Sequence, residues 1–339
     1  MRTVPRRRAR WLVPILAAAL VALATAIPDL AAGSPAPRLP GVTPLQLLGA
    51  LGHVDFPGVV GEAELTVNLG LPDLPDGALG SSPLLGLLGS HPVQVWIAAD
   101  GRFRLAVLGR LQEQDIVDDG HLVWIYNSVD NSVIRIPLFA ARSPARANRS
   151  GRPGIGIGVL LAAAAADTAS GVGPPVRIAG RPCYQLVLAP RSPDTLLRSL
   201  RLAIDPQSDL PLRLQLFGRS STPAVELTFT SIRVAAPPVA LLSFTPPPGV
   251  GTGQLLTTAR SGTPTSTQIR LGDGWDAVAV LDHFPLNGGS AALITELGSR
   301  TQTGVLLTTS LLSVLLTRSG RLIAGPVPPD RLANVAGSP

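Results

Sequence analysis

The stretch Glu62-Ala-Glu-Leu-Thr-Val-Asn-Leu69 alternates polar and apolar residues at every position. Ala63, Leu65, Val67 and Leu69 fall on one side of an extended chain, and Glu, Thr and Asn side chains fall on the other. A period of two over eight residues predicts a β-strand with one buried face. The rest of the fold prediction starts from this strand.

Further strand-like runs follow it at close spacing, and several are separated by Asp-Gly or Asp-Asn pairs that favour hairpin turns. The predicted strands are 93–98, 102–108, 112–117, 121–126 and 132–138, then 176–178, 183–188, 201–205, 212–217 and 225–234. The pattern indicates an antiparallel meander that resumes after a break.

Helices are predicted to be short. One begins at Thr43-Pro44, with Thr as N-cap and Pro in the first turn, and runs to about His53. The segment 140–175 is interpreted as a loop leading into a helix at about 157–169, and Ser192-Pro-Asp194 is expected to begin another helix ending near Arg198.

Composition supports a β-rich fold. The chain of 339 residues contains 35 Gly and 34 Pro, about a fifth of the total, which argues against a helix bundle. Apolar residues make up 45%, enough for a packed core, while aromatic residues make up only 4%.

The N-terminus is typical of an export signal. Five Arg precede the apolar run 11–26, which ends in Ala24-Thr-Ala26, a small-x-small cleavage site. We expect residues 1–32 to be a signal peptide and the protein to lie outside the cytoplasm, in a periplasm-like space or secreted. An uncleaved membrane anchor is the alternative, although 16 apolar residues are fewer than the roughly 20 that span a bilayer.

Nearly all of the net charge of +6 comes from the arginines of this N-terminal segment. All 28 basic residues are Arg, and removing the five at the N-terminus leaves 23 against 22 acids. A nearly neutral mature chain gives no support for a nucleic-acid partner.

The sequence predicts two domains. Residues 33–42 and 250–266 are rich in Gly, Pro, Ser or Thr and are predicted linkers. They bound a main domain at 43–249 and a small α+β domain at 267–339, with a strand near 277–281, a helix from about Ser290 and a terminal helix after Pro328.

Catalytic and metal-binding patterns are not found, so we expect no enzyme activity, no cofactor and no metal. Gly154-Ile-Gly-Ile-Gly158 lacks the strand–helix context of a dinucleotide loop. The four His are scattered, and the pair Glu62 and Glu64 and the pair Glu113 and Asp115 are expected to be solvated. Cys183, the only cysteine, lies in a strand pattern and is interpreted as a packed structural residue.

Several strands instead carry large apolar residues on both faces, as in Gln94-Val-Trp-Ile97 and Val123-Trp-Ile-Tyr126. Such a sheet either packs as an ordinary sandwich or encloses an apolar cavity.

The succession of motifs resembles the LolA/RseB-type family of exported proteins, in its uncharacterised actinobacterial branch. The resemblance rests on Phe56-Pro-Gly-Val-Val-Gly-Glu62, Asp118-Asp-Gly-His-Leu-Val-Trp124, Ile178-Ala-Gly-Arg-Pro-Cys-Tyr184 and Phe244-Thr-Pro-Pro-Pro-Gly249, and covers about 50–250. The resemblance implies a strongly curved antiparallel sheet, a half-open barrel covered by short helices, with a cavity for acyl chains. The fold class is therefore α+β.

The same resemblance implies a non-catalytic role in binding lipid or lipoprotein acyl chains, or, as the alternative, regulation by binding a membrane anti-sigma factor. Cavity residues are chosen here from strand faces alone. The candidates are Leu65, Val67, Leu69, Trp96, Trp124, Tyr126, Leu186, Leu214, Leu216, Leu227 and Phe229.

Overall fold

The computed structural model describes residues 37–51, 57–71, 87–109, 113–129, 131–137, 167–254, 268–271, 274–282 and 294–337. Residues 39–339 belong to one compact unit. The predicted signal peptide 1–32, Gly154–Gly158 and all but the last three residues of the helix predicted at about 157–169 lie outside the described residues. Within those ranges, no helix is both long and apolar enough to cross a membrane.

Most of the chain forms one large sheet of 12 strands. Its first half contains β1 (Gly58–Val67), β2 (Gly89–Ala98), β3 (Phe103–Leu108), β4 (Glu113–Asp118), β5 (Leu122–Asn127) and β6 (Ser132–Pro137). Its second half contains β7 (Thr168–Ile178), β8 (Arg181–Pro190), β9 (Ser199–Ile204), β10 (Pro211–Phe217), β11 (Val225–Val234) and β12 (Gly251–Gln254). The predicted meander is therefore confirmed in both halves.

The two halves join through β1 and β11. The strand order is β12-β6-β5-β4-β3-β2-β1-β11-β10-β9-β8-β7, so the sheet stays open with β12 and β7 at its edges. All neighbours are antiparallel except β12, which pairs with β6 in parallel. The α+β, mainly antiparallel prediction is confirmed, and the sheet is not a closed barrel.

The C-terminal residues form a second sheet of six strands, in the order β13-β14-β18-β17-β16-β15. Its strands are β13 (Gln268–Leu271), β14 (Val278–Leu281), β15 (Ser299–Arg300), β16 (Gly304–Thr308), β17 (Ser313–Thr317) and β18 (Leu322–Gly325). A terminal helix, Pro329–Gly337, packs on β17 and β18 and buries Leu332 completely. This helix is the one predicted after Pro328.

Helix α1 (Pro44–Leu51) lies on the large sheet. A capping box fixes its start: the Gln46 N–H donates to Thr43 Oγ1 at 3.3 Å, and the Thr43 N–H donates to Gln46 Oε1 at 2.8 Å. Leu47 and Leu51 pack against Leu186 and Leu202 of the sheet. We label the terminal helix Pro329–Gly337 as α2.

The predicted helix at 192–198 is wrong. This segment is a series of bends, and its polar groups point to other parts of the chain. The Thr195 hydroxyl lies 2.8 Å from the carbonyl oxygen of Trp275 and 2.7 Å from that of Pro326, and the Leu196 N–H donates to Pro326 O at 2.7 Å. These long-range hydrogen bonds replace the i to i−4 bonds of a helix. Among the described residues only α1 covers the large sheet as an α-helix, so the expected covering of short helices is weak.

Two boundaries also differ from prediction. Strand β7 begins at Thr168, within the segment expected to be loop and helix. The first residues of the predicted linker 250–266 form β12 instead. In both cases pairing with a neighbouring strand overrides a local sequence rich in Gly, Ser and Thr.

A proline-rich segment, residues 235–250, leads from β11 to β12. It contains a 3-10 helix, Val239–Leu242, which packs against β2 and β3 and buries Leu242. We call residues 235–250 the strap.

Candidate functional site

The ladder registers assign each side chain to one of two faces of the large sheet. Val95 of β2 stands opposite Gly61 of β1 and Leu105 of β3. Directly opposed residues of an antiparallel pair share a face, and residues two apart along a strand do too. We call the face that carries Val95 and Leu105 the cleft face.

An apolar cleft of about 160 Å³ lies on this face. One wall comes from β1, β2 and the start of β3: Val59, Val95, Ile97, Phe103 and Leu105. The other comes from β10, β11 and the turn before β10: Leu210, Pro211, Leu212, Leu214, Leu227, Phe229 and Ile232. Every one of these residues is apolar.

The cleft has a buried floor and a partly exposed margin. Val59, Val95, Leu212 and Phe229 belong to a buried cluster, whereas Ile97, Leu105, Leu214 and Leu227 keep part of their surface accessible. Gly61 contributes to the space, because a Cβ there would lie about 3.0 Å from the Phe229 ring.

Three of the predicted cavity residues line the cleft: Leu214, Leu227 and Phe229. Leu65 packs against the buried cluster beside it. Val67 shares a strand face with Leu65, and Leu216 shares one with Leu214. These six residues therefore lie on the cleft face of the sheet.

Two other candidates have different surroundings. Leu186 is fully buried against Leu47 and Leu51 of α1. Leu69 follows β1, and its carbonyl oxygen accepts the Ser310 N–H at 2.8 Å, a contact to the segment between β16 and β17. Neither lines the cleft.

The aromatic candidates Trp96, Trp124 and Tyr126 lie on the opposite face. Trp96 stands opposite Arg104 of β3, whose guanidinium carbon lies 5.8 Å from the indole centroid. The rings of Trp124 and Tyr126 are each 5.6 Å from the ring of Phe244, a residue of the strap. Strand alternation forces this outcome, since Trp96 lies between Val95 and Ile97, which face the cleft.

This opposite face carries an ion pair between Arg104 and Asp115. Arg104 donates to both carboxylate oxygens of Asp115, at 3.0 and 2.7 Å, and lies 3.5 Å from Glu113. At the next turn, burial alone would raise the pKa of Asp119. Hydrogen bonds from the Trp124 indole and from the backbone N–H groups of Leu122 and His121 outweigh it and lower that pKa below its usual value.

Cys183 is buried with no exposed surface. Its burial, together with the nearby Asp205 carboxylate, raises the pKa of the thiol to about 11. A thiol that stays protonated is a poor nucleophile and metal ligand. Among the residues that the structure describes, no three His, Cys, Asp or Glu side chains are grouped as a metal site.

The cleft residues missed by sequence reasoning are mostly aliphatic residues of β2, β3 and β10. Val93, Val95 and Ile97 alternate along β2 and share the cleft face, whereas the sequence prediction selects their neighbour Trp96, which lies on the opposite face. The register between β1 and β11, which brings the two walls together, has no local sequence signal.

Comparison with known families gives one match. Residues 169–247 match the family model described as the MucB/RseB N-terminal domain. The match confirms the resemblance to the LolA/RseB-type family, and it contains β8 to β11 and so the second wall of the cleft. No curated protein sequence matches the chain.

Solved structures that align with the chain include the Pseudomonas aeruginosa MucA/MucB complex, at 18% identity and a TM-score of 0.46, covering 86% of this chain and 96% of that one. A LolA superfamily protein from Nitrosomonas europaea aligns at 13% identity and a TM-score of 0.27, covering 60% of this chain and 99% of its own. An uncharacterised conserved protein from Thermus thermophilus aligns at 12% identity and a TM-score of 0.39, covering 62% of this chain and 98% of its own.

Proposed function

We propose that this chain is an exported protein of the cell envelope that holds acyl chains of a lipid or lipoprotein in the cleft, for transport or sensing and without catalysis. The observation that carries the proposal is the lining of the cleft, which consists of apolar side chains from two walls of one sheet. The family match over residues 169–247 agrees with it.

The size of the cleft limits what it holds. A cavity of roughly 150 Å³ accommodates a ligand the size of benzene, so a cleft of about 160 Å³ takes about six carbons of a chain. Burying about six methylenes at about 0.8 kcal/mol each contributes about 5 kcal/mol, which is sufficient for reversible binding.

Adjacent residues of β11 offer a direct test. Leu227 lines the cleft, and Thr228 points to the opposite face. We expect Leu227→Asn to weaken binding of a fluorescent acyl probe at least tenfold and Thr228→Asn to leave it within twofold. Equal binding by both variants and the parent would contradict the proposal, as would a protein that neither retains lipid in native mass spectrometry nor binds the probe.

A second candidate is regulation through binding the extracytoplasmic part of a membrane anti-sigma factor. The observation in its favour is that the matching family model is that of MucB/RseB rather than of a lipoprotein carrier. Crosslinking in intact envelopes followed by affinity purification should recover one membrane protein in stoichiometric amount. Recovery of lipid alone would favour the first candidate.

Export and domain division remain proposals that rest on sequence. We propose that residues 1–32 are removed on export or retained as an anchor, and that 43–249 and 267–339 are separate domains. Mass measurement of the purified protein distinguishes cleavage after Ala26 or after Ala32 from retention.

A further inference from the structure

One aromatic ring, that of Phe229 on β11, lies where the cleft lining stops on the side of β1 and β2. Phe229 stands opposite Ala63 of β1. Ala63 in turn stands opposite Val93 of β2, and Val93 stands opposite Val107 of β3. All four residues belong to one buried cluster, but of the four only Phe229 lines the cleft. The lining therefore reaches the Phe229 ring and does not continue over the three smaller residues beside it.

The backbone of β1 leaves room for this ring. A Cβ at Gly61 would lie 3.0 and 3.1 Å from two carbon atoms of the Phe229 ring. Carbon atoms in contact are ordinarily about 3.5–4.0 Å apart, so a side chain at position 61 would displace the ring. Gly61 stands opposite Val95 of one cleft wall and opposite Ile232 of the other. The Phe229 ring therefore reaches towards the strip of backbone that separates the two walls.

A β-bulge in β11 brings the ring to this position. The register with β1 shifts between Phe229 and Ser231, so Thr230 is an extra residue with no opposite residue on β1. In a regular strand, residues three apart face opposite sides of the sheet. The extra residue instead allows Phe229 and Ile232 to line the cleft together.

We propose that Phe229 is the specificity-determining residue of the cleft, whose ring sets how many carbons of an acyl chain the cleft accepts. This inference rests on the proposed function and adds the feature that selects among its ligands. Without the ring, Ala63, Val93 and Val107 would become part of the apolar lining.

The volume of the ring is large compared with that of the cleft. A cavity of roughly 150 Å³ accommodates benzene, so removal of the Phe229 ring would about double a cleft of about 160 Å³. The parent protein should therefore distinguish acyl chains near the length that fills the cleft, and a smaller residue at position 229 should move that length upwards.

The test measures the affinity of straight-chain alkanoates of 4 to 14 carbons for the purified protein by isothermal titration calorimetry. In the parent protein we expect the affinity to rise about fourfold with each added methylene and to level off beyond about six buried carbons. Leu has three side-chain carbons fewer than Phe, and Ala has six fewer. We therefore expect the plateau to move by about three carbons in Phe229→Leu and by about six in Phe229→Ala.

Phe217→Leu is the matched control. Phe217 of β10 is 6% exposed, as Phe229 is, but it does not line the cleft. Its ring lies 4.4 Å from the guanidinium carbon of Arg201, on the face opposite the cleft-lining Leu214. We expect Phe217→Leu to lower the melting temperature and to leave the plateau where it is in the parent protein. If Phe229→Ala does not fold, Phe229→Leu, which keeps a branched apolar side chain, decides the test.

A plateau at the same chain length in Phe229→Leu and in the parent protein would overturn the inference, as would an equal shift in Phe217→Leu. An affinity that rises up to 14 carbons in the parent protein would overturn it too. In each of these cases alkanoates still bind, so the proposed function would stand. Failure of every alkanoate to bind the parent protein would instead remove the proposed function and this inference together.

Discussion

The indole N–H of Trp275 donates a 2.7 Å hydrogen bond to the Thr168 hydroxyl, between residues 107 positions apart. Trp275 lies in the 3-10 turn Gly274–Asp276, between β13 and β14 of the second sheet, and Thr168 begins the edge strand β7 of the first. The Trp275 ring also packs against the core cluster under α1. One residue therefore connects the second sheet to the edge and to the core of the first.

Removing this hydrogen bond should weaken the folded state modestly. We expect Trp275→Phe and Thr168→Val each to lower the free energy of unfolding by about 1 kcal/mol, since Phe keeps most of the ring packing. Urea unfolding of the two single variants and the double variant measures the coupling energy. A coupling near zero would show that the bond contributes nothing to stability.

The pairing of Arg104 with Asp115 should contribute more than the surface pair of Arg102 with Asp100. The Asp115 side chain is 5% exposed, and that of Asp100 is 52% exposed. We expect Asp115→Ala to cost about 2–3 kcal/mol, because it removes a bidentate bond and leaves a half-buried guanidinium. Asp100→Ala, the control, should cost less than about 1 kcal/mol. Equal losses in chemical denaturation would contradict this difference.

The Cys183 thiol should make stability sensitive to alkaline pH. Its pKa is raised from 9.0 to about 11 on folding, so the folded chain holds the proton more tightly than the unfolded chain. The resulting stability is fully present below pH 9 and is lost as the pH rises towards 11. The free energy of unfolding, measured at several pH values between 8 and 11, should fall less steeply with rising pH in Cys183→Ala than in the parent protein. The native thiol should also resist alkylation at pH 8, and rapid modification there would contradict its burial.

Two glycines in strands should respond oppositely to substitution. A Cβ at Gly61 would lie 2.5 Å from the Ser231 carbonyl oxygen and about 3.0 Å from the Phe229 ring, whereas a Cβ at Gly171 meets nothing within 4 Å. We expect Gly61→Ala to lower the melting temperature and to weaken binding of an acyl probe. Gly171→Ala should leave both unchanged or raise the melting temperature slightly. A neutral Gly61→Ala would show that the strand relaxes locally.

Strand existence could be predicted from sequence, because β1 has a clear period of two and β2 to β5 are strand-like runs separated by turn residues. The start of α1 could also be predicted, since Thr43 is a favourable N-cap residue and Pro44 a favourable first-turn residue. The segment 192–198 could not be predicted, because its conformation depends on Trp275 and Pro326, far away in the chain.

The candidate site was predicted only in part for a similar reason. Alternation divides each strand into two faces but does not say which face borders a cleft. Leu214, Leu227 and Phe229 alternate with polar residues, and their strand faces border the cleft. Trp96, Trp124 and Tyr126 lie on the face opposite the cleft, where Arg104 and Phe244 are their contacts.

The ladder between β1 and β11 has a consequence for biogenesis. The walls of the cleft are built from residues 59–105 and 210–232, and they meet only when Val59 pairs with Val234. If the chain crosses a membrane starting from its N-terminus, about two-thirds of its residues must emerge before those of the second wall are available for pairing. Until then the apolar surface of β1 to β3 is not covered by the second wall. A chaperone outside the cytoplasm would have to protect this surface from aggregation.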